Sequence, residues 1–291
     1  MKFKQVFKVL FVVALVFFTN LSSFAAFKGG ADLPIRKLFY AQQVFLNNAN
    51  IERLKSLYSD NYQSNDGFNK EDLFKLYADT VKNHPDIKYD VVLTNIKIDG
   101  DYATVRAISK SKATTSNKSS ITNDNGVLSI DMETIFYLKK NGDNWQIVSE
   151  QTVLERTALL YGDCKDADII LCAPELVQNN EEYTVSLRVS PKYAKYAMGS
   201  IKKDLITYPA QNSPDIFKIF DNTGEIERIF RANNTNHNET VSASVAFASP
   251  TITKSKMMDL KISGLGVLLQ RVNVLSPPPI KETEKKENEK L

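Results

Sequence analysis

Two glycine dipeptides, Asp99-Gly100 and Asn141-Gly142, each sit between long runs of alternating apolar and polar residues, and they constrain the fold more than any other feature of the chain. A residue pair of this kind between alternating runs signals a tight antiparallel hairpin. The runs predict strands over 86–98 and 102–114, then over 127–138 and from Trp145 to about Leu160, with a polar stretch, Thr115 to Asn125, between the hairpins. In the third of these strands Leu128, Ile130, Met132, Phe136 and Leu138 form the core face, and Val127, Ser129, Asp131, Glu133, Ile135 and Tyr137 the more polar one.

Helical patterning precedes the hairpins. Asp32 is placed to cap a helix carrying Ile35, Leu38, Phe39, Phe45 and Leu46 at helical spacing, with Pro34 in its first turn. Asn50 caps a shorter helix bearing Ile51, Leu54, Leu57 and Tyr58. After Asn65-Asp66-Gly67, Asn69 opens a third helix, with Glu71 and Asp72 at its positive end, and Pro85 stops it. Three helices followed by four long antiparallel strands bury their apolar faces together if a curved sheet wraps the helices as a cone, an α+β arrangement over residues 32–161.

From Cys164 to about residue 276 the texture is all-β, with strands expected at 183–189, 197–208, 217–220, 226–232, 240–248 and 258–275. Their lengths and polar connections predict a sandwich of immunoglobulin-like architecture, without the tryptophan and inter-sheet cysteine pair of antibody domains. Residues 277–291 begin with three prolines and continue as alternating charge, a composition that predicts disorder.

The beginning of the chain reads as an export signal. Lys2, Lys4 and Lys8 precede the apolar run Val9 to Phe18, and Ser23-Phe24-Ala25 forms a small-residue cleavage site, so 1–25 is expected to be removed and the product to be periplasmic or secreted. The run is well short of the ~20 apolar residues of a membrane span, and no later segment is apolar enough to supply one. The 37 basic and 34 acidic side chains of the whole chain become equal once the three signal lysines are discounted. A formally neutral mature chain lacks the basic excess that binds nucleic acid. Cys164 and Cys172 are the two cysteines, and an oxidising compartment favours a bridge between them, worth about 2.5 kcal/mol at most for so short a loop. The alternative is two thiols acting as small apolar side chains.

Strong catalytic signatures are missing: there is no phosphate-binding Gly-x-x-x-x-Gly-Lys, no His-Glu-x-x-His, no Gly-x-Ser-x-Gly and no Cys-x-x-Cys. Gly264-Leu265-Gly266 sits inside an expected strand and has Leu269 where a dinucleotide loop needs glycine. His84 ends a helix and His237 lies in an asparagine-rich loop of the other half, so neither metal nor cofactor is expected. Asp131 and Glu133, two apart on one strand, share a face at about 6.6–7 Å and would form an acid–base pair if that face lined the cone. On the strand's own patterning it is instead the solvated face.

The order of elements, the Asn65-Asp66-Gly67 loop before a helix and the strand Gly142-Asp143-Asn144-Trp145-Gln146-Ile147 resemble the nuclear transport factor 2-like superfamily over about residues 32–161. The resemblance implies the cone-shaped fold and a superfamily of isomerases, dehydratases, hydrolases and domains with no activity. In its ketosteroid isomerases a tyrosine and a protonated aspartate stabilise an enolate while a second aspartate moves the proton. The loose counterparts here are Tyr40 on the first helix and Asp131 or Glu133 on a late strand; Trp145 reads as core packing. The expectation is an exported, non-enzymatic binding or interaction module of the bacterial cell envelope, with a protein partner or a small hydrophobic ligand, and with pairing into a homodimer through the open sheet face. Its alternative is an enzyme or carrier with a buried apolar pocket, using Asp131, Glu133 and Tyr40.

Overall fold

The computed structural model describes residues 30–194, 196–209, 213–252 and 258–275. The expected signal segment and charged tail lie outside the described residues. Helix α1 (Leu33–Asn47) buries Ile35, Leu38, Phe39, Gln42 and Leu46, the three-and-four spacing of a single helical face. Asp32 does not cap it through its side chain; its Oδ2 instead accepts from Arg36 Nε at 2.6 Å, an ion pair one turn along. Asn50 does cap α2 (Ile51–Lys55), and Asn69 and Asp72 form a reciprocal capping box at the start of α3 (Lys70–Asn83).

Strand β1 (Tyr58–Ser64), which no sequence pattern announced, lies parallel to the fourth long strand. The long strands are β2 (Lys88–Asp99), β3 (Tyr102–Lys118), β4 (Asn125–Asn141) and β5 (Asn144–Gly162). Both expected hairpins form, and Gly100 and Gly142 take the first loop position with φ of 57° and 60°. The helices pack on one face of this sheet around Phe39, Leu54, Tyr58, Phe74, Val105, Leu138 and Ile147. Full burial of an aliphatic or aromatic side chain of this size contributes about 1.5–3 kcal/mol.

The second half contributes β6 (Ile169–Cys172), β7 (Leu176–Gln178), β8 (Glu182–Val189), α4 (Pro191–Ala194), β9 (Ala197–Leu205), β10 (Lys218–Ile219), β11 (Glu225–Arg231), β12 (Glu239–Ile252) and β13 (Met258–Leu275). From β8 on the strands fall near the expected ones, while β6, β7 and α4 were not anticipated, and the sheets of this half do not stand apart from the first. Residues 264–270 of β13 pair antiparallel with 156–162 of β5, so one sheet runs β10-β9-β12-β13-β5-β4-β3-β2 through both halves. A second sheet, β11-β8-β6, covers the far end of the first around Val185, Leu187, Val241, Val245 and Val272. Two sheets thus face each other, and one of them is continuous with the helix-bearing sheet where a separate sandwich was expected.

Cys164 and Cys172 are both free thiols. Cys164 lies in the 3-10 turn Asp163–Asp166 with its side chain in the core between the sheets, whereas alternation along β6 turns Cys172 to solvent. Two sulfurs facing opposite environments do not meet, which corrects the expected bridge.

Candidate functional site in the helix–sheet cavity

Side-chain size along β3 opens a space beneath the helices. Its inward face carries Ala103, Val105, Ala107, Ser109, Ser111 and Ala113 at two-residue spacing, all small or short, and Ala107, Ser109 and Ser111 line a cavity of about 300 Å³. Ile130, Met132 and Phe136 of β4, Tyr89 and Val91 of β2, and Leu73, Leu76 and Tyr77 of α3 make the rest of the wall largely apolar. The second half helps to close it: Ile206 and Arg271 line the cavity, and the Tyr208 ring stands 6.2 Å from that of Phe68, beneath the Lys75 ammonium at 5.6 Å.

Strand β5 delivers the acidic groups. Between Tyr137↔Ser149 and Leu138↔Ile147 it carries one extra residue, Val148, and between Glu133↔Leu154 and Thr134↔Thr152 another, Val153. Each is a β-bulge that shifts the strand's facing by one residue. Ile147 therefore points to the helices, Glu150 and Thr152 follow on that face, and Glu155 joins them where unbroken alternation would have placed Leu154.

Burial raises the Glu150 carboxyl to about 7; the neighbouring Tyr62 hydroxyl opposes that rise and the charge of Asp66 adds to it. Although Tyr62 Oη is close enough to act on the carboxyl, neither it nor Glu150 Oε2 has a hydrogen-bond partner of good geometry, and both atoms are buried. Around them lies an aromatic cluster: Tyr58 stacks edge-on to Tyr62 at 5.2 Å and to Phe74 at 5.2 Å, and accepts a bond from Gln42 Nε2 at 2.8 Å. Burial drives the Tyr58, Tyr62 and Tyr77 hydroxyls well above the ordinary tyrosine range and Tyr89 to about 12, so these groups stay neutral near pH 7.

Asp66, in the loop before α3, meets Arg271 of β13 in a two-pronged pair, with Nη1 to Oδ2 at 2.9 Å and Nη2 to Oδ1 at 2.6 Å. The side chains are 9% and 2% exposed, and Asn238 Nδ2 adds a bond to Asp66 Oδ1 at 2.8 Å. Burial raises Glu155, the charge of Arg271 opposes the rise, and Asp66 adds to it. The cavity lining thus holds three carboxyls against one guanidinium, whose two terminal nitrogens are taken by Asp66 and whose Nε donates to Asn273.

The residues picked out by sequence lie elsewhere. Glu133 pairs with Arg106, and Asp131 is exposed opposite Arg156; both occupy the face of β4 that turns away from the cavity, while Met132 and Thr134 face in. Tyr40 is 45% exposed on the outer side of α1. His84 Nδ1 lies 3.1 Å from the Thr114 carbonyl oxygen, and His237 Nδ1 lies 3.0 Å from Thr235 Oγ1 in its own loop. Trp145 packs half-buried against the first core. Sequence reasoning missed Glu150 and Glu155, and the signal available was the doubled apolar pairs Ile147-Val148 and Val153-Leu154, where alternation breaks at the bulges.

No protein-family model and no curated protein matches the chain. Solved structures that align with it include a conserved protein from Planctomyces limnophilus, 17% identical over 41% of this chain and 92% of that one with a TM-score of 0.36. A hexachlorocyclohexane dehydrochlorinase from Novosphingobium barchaimii is 15% identical over 46% and 86% with a TM-score of 0.32. An NTF2-like protein from Cytophaga hutchinsonii is 16% identical over 43% and 98% with a TM-score of 0.30. The first half itself has helices packed on one face of a long-stranded antiparallel sheet, the arrangement expected for residues 32–161.

Proposed function

We propose that the cavity binds one small, largely apolar molecule, with the Glu150 carboxyl as its principal polar contact. The observation that carries this reading is Glu150 Oε2, a buried acceptor with no hydrogen bond of good geometry and only the Tyr62 hydroxyl near it, in an otherwise mostly apolar space of about 300 Å³. Pockets of this size, apolar with a few converging polar groups, are the usual form of small-molecule sites, and a buried acceptor left unmade costs about 1–3 kcal/mol that a donor on the ligand recovers.

Titration with the neutral, polarity-sensitive dye prodan tests it. Saturable binding of one dye per chain is expected, lost in Ser109→Phe, which fills the space from the β3 side. Equal binding by both proteins, or by neither, removes the proposal. Export belongs to the same reading: the basic, apolar and small-residue segments of 1–25 support a binding protein of the bacterial cell envelope. Intact mass of the protein from its own source checks this, with a chain beginning at Ala26 expected.

A second reading, proton transfer on the bound molecule, is favoured by a carboxyl titrating near neutrality beside neutral tyrosines. Here Glu150, not Asp131, Glu133 or Tyr40, is the group in reach of a ligand.

A further inference from the structure

We infer that the ligand of this cavity is an organic cation, an amine whose ammonium group is met by Glu150 and whose apolar body lies against β3, β4 and α3. The inference rests on the cavity being a binding site and specifies what it selects.

Charge comes first. Three carboxyls, Asp66, Glu150 and Glu155, face one guanidinium in the lining, and Asp66 already occupies both terminal nitrogens of Arg271. An anionic ligand would add a charge of the same sign to a space already short of cations. Hydrogen bonding points the same way. An ionised carboxylate only accepts, so the vacant position at Glu150 Oε2 calls for a donor, and an ammonium donor makes a charge-assisted bond about twice as strong as a neutral one. The neighbouring Tyr62 hydroxyl, on a side chain 2% exposed, lies against the Glu150 carboxyl without a bond of good geometry and has acceptor lone pairs to offer the same group. The wall supplies the third element: Tyr77, Tyr89 and Phe136 present aromatic rings to the cavity, the surfaces that attract cations in desolvated sites.

An ammonium beside Glu150 favours its ionised form, so binding near neutral pH expels a proton. The groups able to contribute can be separated. Tyr58 and Tyr62 of β1, Tyr77 of α3 and Tyr89 of β2 are held neutral throughout this range. Asp66 and Arg271 are committed to each other. Proton release therefore reports on Glu150, with Glu155 beside Arg271 as the other raised carboxyl.

The test uses three probes of one shape, phenylbutylamine, phenylbutanol and phenylbutyrate, titrated calorimetrically into the full mature chain. The amine is expected to bind at least about tenfold more tightly than the alcohol, a difference of about 1.4 kcal/mol, and the acid more weakly than either. In Glu150→Gln the amine and alcohol are expected to converge to within about threefold. A measurement on the unaltered protein stands beside the variant: repeated at about pH 7 in buffers of different ionisation enthalpy, amine binding releases protons and alcohol binding does not. Alcohol binding as tight as amine binding, or amine binding without proton release, overturns the inference while leaving the cavity a binding site. Failure of all three probes together with prodan overturns both.

Discussion

Replacing Glu150 by glutamine removes the titrating group while keeping its size, and the consequence depends on pH in a direction fixed by linkage. Glu150 ionises at its ordinary 4.5 in the unfolded chain and at about 7 in the folded one. Between these values the folded state binds more protons than the unfolded state, so stability falls as pH rises. Below about pH 4.5 both states are protonated and the carboxyl carries no such penalty. Above about pH 7 the folded protein holds a buried charge, and the interval between the two values corresponds to a loss of up to about 3 kcal/mol. The amide has no charge to bury, so Glu150→Gln is expected to escape that loss and gain on the unaltered protein by up to about 3 kcal/mol between pH 4.5 and 8. Urea unfolding followed by the fluorescence of the single tryptophan, half-buried Trp145, measures both proteins across the range. Every other titrating group is common to the two, so their difference isolates Glu150. A difference that stays constant with pH would refute the raised carboxyl and the burial argument behind it.

Three further outcomes are expected. Gly162 has φ of 53°, and a Cβ built there would meet the Ser263 carbonyl oxygen at 2.0 Å, so Gly162→Ala should cost about 3 kcal/mol or more in denaturant, against about 1 for Gly100→Ala, whose φ of 57° is left-handed but whose surroundings are open; equal costs would show that the β5–β13 approach is not tight. Arg271→Met leaves the buried Asp66 carboxylate with Asn238 as its remaining side-chain donor and should cost about 3–5 kcal/mol, with much of the loss recovered by adding Asp66→Asn; additive losses in the double variant would contradict the pairing. Thiol labelling of the native protein should modify exposed Cys172 quickly and Cys164 only after unfolding, since burial pushes the Cys164 thiol up to about 12; an intact mass showing a bridge would overturn both thiol assignments.

What sequence could reveal tracks how local the cause is. Capping residues, hairpin turns and alternation act over a few positions, and α1–α3, both hairpins and most strands of the second half fall where these signals put them. The inward face of β4 was legible for the same reason. Strand β1 was not, because Tyr58-Ser59-Asp60-Asn61-Tyr62 has no clean alternation and its partner lies more than 80 residues away on β5. The pairing of β5 with β13 joins segments about 100 residues apart and leaves no local mark. The acidic site was hidden by the two bulges: counting by twos from Ile147 puts Glu150 outside, the first extra residue brings it in with Thr152, and the second restores the original phase so that Glu155 shares their face. Asp131 and Glu133 stood out because they share one regular face, and that regularity is what carries them to the outside.

The sheet that passes unbroken from β2 to β10 makes the two halves inseparable heirs of one design. A gene cut between Asp163 and Cys164 would free the outer edge of residues 156–162 on β5, a row of unpaired backbone donors and acceptors of the kind that recruits other chains. It would also strip Arg271 from Asp66 and uncover the cavity on the side of Ile206. The first half is therefore not a portable cassette, and recombination that exchanged it for a relative would have to bring along a β13 of matching register.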